Sequence, residues 1–295
     1  MSKALKRIVR KNRFLFLLYN VPRLLKGYYP IFLDYPFVPA PRYGYGKPPH
    51  QKLYEIFSSD RPRFIATLAQ FRSLDSYLLQ IPLRAPKESS EPCWINKWLD
   101  GLDTLALYSF VALKKPGEYL EIGSGYSTKV VRRAIRDHGL PTKITSVDPF
   151  PRAGIDALCD TVIRQPLQEV DLKQFDALRR GDILFLDGSH RCFMNSDVSI
   201  FFLDILPNLS PGVLVHIHDI DLPYDYMPEW AEWYYSEQYL LATSLLAGHQ
   251  NFQVILPNAF LSAEPDCMQP LESLWSNSKL TGVAAKGVSF WLEIV

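Results

Sequence analysis

The sequence predicts an α/β protein on a mostly parallel seven-stranded sheet, and three features of the chain carry that prediction. Short apolar, β-rich runs recur from Glu118 onward, helical stretches separate them, and glycine or proline closes those stretches. Strands of a parallel sheet read as near-continuous apolar runs because helices cover both faces. The strands are placed at Tyr119–Ile122, Ile144–Val147, Thr161–Arg164, Ile183–Leu186 and Val213–Ile217. Helical stretches lie between them at Thr128–His138, closed by Gly139 and Pro141, at Gln174–Arg179, and at Ser199–Leu206, closed by Pro211 and Gly212. After Ile217 the alternation changes. A long aromatic helix is expected over Glu229–Leu246, then strands at Phe252–Leu256 and Val288–Val295, which suit an antiparallel pair at the sheet edge.

This domain is read as residues 103–295, and residues 1–102 as a helical and Tyr/Pro-rich extension. Helical patterns fall at 51–58, 61–80 and 103–115, the last ending at Pro116-Gly117. Residues 27–50 carry too many prolines for a long helix and are read as an ordered, irregular segment that roofs an acceptor pocket. From Met1 to Leu33 there are eight Lys or Arg and no acid. The apolar run Phe14–Tyr19 is far short of the ~20 residues of a membrane span, and no small-residue cleavage site follows it. A solvated basic helix packed on its own domain is preferred over an amphipathic helix lying on anionic lipid. Net charge is +1, which supplies no field for a nucleic-acid partner. The four cysteines form no CxxC pair, and together with the lack of an export signal this predicts a reducing, cytoplasmic compartment.

The chemistry concentrates at strand ends. Tyr119 to Thr128 runs from a strand through a tight glycine turn into a helix. Gly123 and Gly125 let the backbone approach a ligand, and free amides at the helix start face it. A dinucleotide-binding fingerprint would place a third glycine where Thr128 stands. Asp148 ends the second strand, placed to accept hydrogen bonds from ribose hydroxyls.

At these residues the chain resembles the class I S-adenosylmethionine-dependent methyltransferases, whose fold is Rossmann-like. Glu121-Ile122-Gly123-Ser124-Gly125-Tyr126-Ser127 resembles their first motif, Ser146-Val147-Asp148 their ribose-binding second motif, Gly181 to His190 their fourth-strand motif, and Pro211 to Val215 the start of strand five. The resemblance covers about residues 103–295. It implies S-adenosylmethionine as cofactor, bound by Glu121, Gly123, Ser124, Gly125, Ser127, Thr128, Asp148 and Asp187.

A second constellation is Asp187-Gly188-Ser189-His190 with His216-Ile217-His218-Asp219. Both segments end neighbouring strands, so Asp187, His190, His218 and Asp219 should converge near the transferred methyl. The enzyme must hold a nucleophile in line with the sulfonium and remove its proton. Two routes follow. In one, Asp187, Asp219 and His218 hold a divalent cation (Mg, Mn or Fe) that acidifies an acceptor oxygen while His190 takes the proton. This layout resembles metal-dependent O-methyltransferases of the catechol and macrolide-sugar types, in which an acid would stand at His218; imidazole suits manganese, iron or zinc better than magnesium. In the other route there is no metal, and His190 or His218 is the base, oriented by Asp187 or Asp219. His216 lies deeper and is read as a hydrogen-bonded core histidine.

Aromatic residues flank the presumed pocket, from Tyr224 to Tyr239 on one side and from Tyr28 to Trp98 on the other. Such walls suit sugars, phenols or other flat small-molecule acceptors. Trp230, Trp233 and Tyr234, at helical spacing, are individually read as packing residues. The expected activity is therefore O-methylation of a small hydroxylated acceptor, with no nucleic-acid partner. The alternatives are a metal-independent N-methyltransferase and a membrane-surface or partner-binding protein on an inactive scaffold of this fold.

Overall fold

The computed structural model of the protein describes residues 12–25, 35, 37–86, 88–151, 154–248 and 251–295. The chain divides into two compact units, residues 1–39 and 40–295. The first contains helix α1 (Arg13–Leu24), started by Asn12, whose Oδ1 accepts from Phe14 N and Leu15 N. Its apolar side chains Phe14, Leu18 and Val21 are exposed. The expected roof segment falls partly outside the described residues, which omit 26–34 and 36.

In the second unit, helices α2 (Gln51–Ser59), α3 (Arg61–Phe71) and α4 (Gly101–Lys114) precede a seven-stranded sheet. The strands are β1 (Glu118–Ile122), β2 (Lys143–Val147), β3 (Thr161–Ile163), β4 (Ile183–Leu186), β5 (Leu214–Ile217), β6 (Phe252–Pro257) and β7 (Phe290–Ile294). Their order is β3-β2-β1-β4-β5-β7-β6; β1 to β5 run parallel, and β7 is antiparallel to both β5 and β6. The late strands thus form the antiparallel edge that the sequence predicts. Every residue of β4 and β5 is buried, as expected of central strands covered on both faces. Helix α5 (Tyr126–His138) follows β1, and α6 (Asp197–Ile200) follows β4. A π-helical turn, Phe201–Ile205, extends α6.

The expected long helix over Glu229–Leu246 is broken. A 3₁₀ turn spans Pro228–Trp233, Tyr234 takes a left-handed φ of 56°, and helix α7 covers only Glu237–Leu246. The reason is a long-range bond: Ser236 N donates to His190 O at 2.8 Å, so this amide is spent across the fold rather than along a helix. The expected helix over 61–80 likewise ends at Phe71 and gives way to a 3₁₀ turn, Arg72–Leu74, and a short helix, Asp75–Leu78. Between β6 and β7 lie three short helices without a counterpart in the sequence reading: Asn258–Ser262, Pro265–Met268 and Glu272–Trp275.

Residues 40–50 belong to the same unit as the sheet and are tied to the loop after β5. Asp225 Oδ2 accepts from Tyr43 N at 3.0 Å, Asp225 N donates to Tyr43 O, and His50 N donates to Pro223 O. A buried carboxylate fastens α4 to the sheet edge. Asp103, fully buried, accepts from Asn258 Nδ2, Val288 N and Ser289 N at 2.8–2.9 Å. Gly287 is required beside it, because a Cβ there would lie 2.1 Å from Asp103 Oδ1. Replacing Asp103 with alanine strands three buried donors, and urea unfolding should show a loss of about 3 kcal/mol or more. A loss under about 1 kcal/mol would mean that water reaches these amides.

Candidate active site

Strand register gathers the chemistry onto one face of the sheet. Ser146, Glu121, Phe185, His216 and Trp291 are direct cross-strand partners in that order, so their side chains share a face. Two residues further toward the C-terminal ends of the parallel strands, the same face carries Asp148, Gly123, Asp187 and His218. Ligands of open α/β sheets bind at such ends.

The turn after β1 is held from below. Glu121 is fully buried and accepts from Thr128 Oγ1 at 2.5 Å and Ser127 Oγ at 3.0 Å, while Thr128 Oγ1 accepts from Gly125 N. Burial pushes the Glu121 carboxyl up to about 8, against the pull of these two hydroxyls. Gly123 has φ +79°, and a Cβ on it would lie 1.9 Å from the Asp187 carbonyl oxygen. Ser124 donates from both its N and its Oγ to Asp148 Oδ2, and Phe150 N donates to Oδ1. Above this turn opens a cleft of about 440 Å³, lined among others by Gly123, Ser124, Asp148, Leu167, Asp187 and Ser189. Its size is that of a small-molecule or cofactor site. Gly125, Ser127 and Thr128 do not line it; the last two hold the turn through Glu121. Pro166, Leu167 and Gln168, which also line it, carry no motif that a sequence reading could use.

Asp187 links this cleft to a cluster of ionisable groups. Its Oδ1 lies 3.2 Å from His190 Nε2, and Asp219 Oδ2 lies 3.6 Å from the same nitrogen. One donor atom from each of Asp187, His190 and Asp219 falls within 4.8 Å of the others. The opposite ring nitrogen, His190 Nδ1, contacts Glu237 Oε1, a residue absent from the sequence reading. Glu237 is fully buried at the first position of α7, 47 residues from His190. Burial alone would lower the His190 pKa, but Glu237 and Asp187 outweigh it and hold the imidazole well above its ordinary range. The Tyr235 ring lies 4.4 Å from the His190 ring, and Tyr226 and Trp230 pack against Tyr235.

The other two histidines are placed differently. His218, 4% exposed, has Nδ1 3.2 Å from Ser289 Oγ and Nε2 3.1 Å from Trp98 O. A ring nitrogen facing a carbonyl must carry the hydrogen, so Nε2 offers no lone pair to a metal. His218 Nε2 also lies 3.6 Å from Asp219 Oδ1, whereas His190 Nε2 lies within 4 Å of both aspartates. His216 is in the core as expected but without the expected hydrogen bonds. Its ring lies between Trp291 at 4.1 Å and Phe185 at 4.6 Å, and neither nitrogen has a partner among the described residues. Burial, reinforced by His218, drives its pKa well below the ordinary value and keeps it neutral.

Residues 120–220 match the family model described as methyltransferase domain. The sheet topology, the glycine turn and the strand-end acid all fall within or around that matched segment and agree with it. Among curated proteins, an uncharacterized protein of Archaeoglobus fulgidus is 31% identical over 94 residues, which are 30% of this chain. The chain spans 42% of that relative's length. Among solved structures, an O-methyltransferase from Bacillus cereus in complex with S-adenosylhomocysteine (SAH) aligns over 78% of this chain and 90% of its own, at 15% identity and a TM-score of 0.38. An SAH-bound methyltransferase from Podospora anserina aligns over 72% and 93%, at 15% identity and a TM-score of 0.37.

Two outcomes test this geometry. Gly123→Ala should abolish SAH binding in calorimetry, since its methyl group collides with backbone rather than with a movable side chain. Wild-type affinity in that variant would contradict the close approach of β1 and β4. Glu121 retains its proton in the folded protein to about pH 8, whereas the unfolded chain loses it near 4.5. Folding stability should therefore decline as pH rises through that window, and Glu121→Gln should flatten the decline in thermal unfolding. Parallel curves for the two proteins would show that Glu121 is ionised throughout.

Proposed function

We propose that this protein transfers the methyl group of S-adenosylmethionine to a hydroxyl of a small-molecule acceptor, with a divalent cation held by Asp187, His190 and Asp219. The cluster itself carries this reading: two carboxylates converge on His190 Nε2 while a third occupies Nδ1. Such an excess of negative charge in a largely buried site calls for a cation. One nitrogen and two carboxylate donors suit manganese or iron better than magnesium. When bound, such an ion lowers the pKa of an acceptor hydroxyl.

The protein's own groups do the rest. The glycine turn and Asp148 orient the cofactor in the cleft, and Asp187 borders both cleft and cluster, so an acceptor oxygen beside it faces the methyl group. An O–CH₃ bond forms as the S–CH₃ bond breaks, and the hydroxyl proton passes to the carboxylates of the cluster. Tyr235 supplies an aromatic face beside His190 for a phenol or sugar ring, and Tyr226 and Trp230 brace it edge-on. Residues 40–50 are bonded to the loop after β5, which supports a role for them in covering that side. The Glu237 contact also favours a second reading, in which His190 acts as an unaided base.

Calorimetric titration of Mn²⁺ into SAH-saturated protein separates the two. The metal reading expects one site, lost in Asp187→Asn and Asp219→Asn and retained in His218→Asn. Absence of any Mn²⁺ site, or its loss only in His218→Asn, would contradict it, and methyl transfer that survives chelator would support the second reading.

A further inference from the structure

The contact between Glu237 and His190 is part of a larger clamp. Ser236 N and Glu237 N both point to His190 O, at 2.8 and 3.4 Å, and Ser236 Oγ accepts from Cys192 N at 2.8 Å. The start of α7 thereby grips the turn after β4 by backbone and side chain together. His190 itself sits at φ +61°, a left-handed conformation that a non-glycine residue keeps only when its surroundings impose it. Its ring is 7% exposed and covered by Tyr235. Glu237 is fully buried, yet its position at the first turn of α7 sets the carboxylate against the positive end of that helix.

We propose that Glu237 is a positioning residue that holds a proton on His190 Nδ1, so that a cation entering between Asp187 and Asp219 displaces the hydrogen of Nε2 and takes that nitrogen's lone pair. A carboxylate is an acceptor only, so the ring nitrogen facing it must be the donor. With carboxylates facing both ring nitrogens, the metal-free ring carries hydrogen on both; Nε2, 3.2 Å from Asp187 and 3.6 Å from Asp219, gives up its hydrogen when a cation binds there, while Nδ1 keeps its own against Glu237. Without Glu237 a single hydrogen is drawn to Nε2 by those same two carboxylates, which turns the wrong face of the ring to the site. Carboxylate partners of metal-bound histidines act in this way elsewhere, and their loss typically weakens metal binding about 10–100-fold. The tautomer argument stands on the geometry alone; its consequence for metal affinity rests on the function proposed above.

The test pairs nuclear magnetic resonance of the ¹⁵N-histidine-labelled full chain with Mn²⁺ calorimetry. Metal-free wild type should show a slowly exchanging, strongly downfield Nδ1 proton for His190. That resonance should move upfield in Glu237→Gln and vanish in Glu237→Leu, with the thermal midpoint of Glu237→Gln confirming that it folds. In SAH-saturated Glu237→Gln the Mn²⁺ dissociation constant should rise about 10–100-fold, with SAH affinity unchanged. A Mn²⁺ constant within about twofold of wild type, or a wild type lacking the downfield proton, would overturn the proposal. A wild type that keeps the proton but binds no Mn²⁺ overturns the metal reading instead and supports Glu237 as the orienting partner of a base.

Discussion

The close approach of β1 and β4 at their C-terminal ends is the constraint on which the rest of the site depends. Asp187 N donates to Ile122 O at 2.9 Å, and Gly123 N donates to Val147 O at 2.9 Å. The turn after β1 is thus threaded between the ends of β2 and β4, and only a residue without a Cβ fits there. That proximity creates a cleft floor from backbone and puts Asp187 at its edge. Every further functional contact is a continuation of it: Asp148 bonds the turn from one side, and His190 meets Asp187 from the other.

Burial then decides what each histidine can do. The same strand period that brings His216 and His218 onto one face also sets their depth. His216, between Phe185 and Trp291, is an apolar filler kept neutral. His218 is committed to Ser289 and the Trp98 carbonyl and braces the sheet edge. Only His190, on the turn beyond β4, has a ring nitrogen aimed at both aspartates. Three similar residues within 29 positions of one another in sequence therefore carry three different roles, set by their partners.

The sheet was legible because its signal is local. Each of the seven strands is a short apolar run, and each was placed to within two residues at either end, since burial on both faces leaves little room for polar residues. The glycine turn and its strand-end acid were legible for the same reason, being backbone requirements written into neighbouring residues. What escaped was set by contacts distant in sequence. Glu237 looked like one more polar residue in an aromatic helix, because its partner lies 47 residues upstream. The break at Tyr234 was invisible for the related reason that the His190 carbonyl, not a local breaker, captures the Ser236 amide. His218 was grouped with the aspartates by adjacency, and only the position of the Trp98 carbonyl shows that its nitrogen is taken.

The central claim is that the face lined by Gly123, Ser124, Asp148 and Asp187 binds the adenosyl cofactor. Calorimetric titration of SAH into wild type and Asp148→Ala tests it most directly. The account predicts one site per chain in wild type and at least a tenfold loss of affinity in the variant, on the order of 1.4 kcal/mol or more. No binding to wild type, or equal affinity in both proteins, would contradict it.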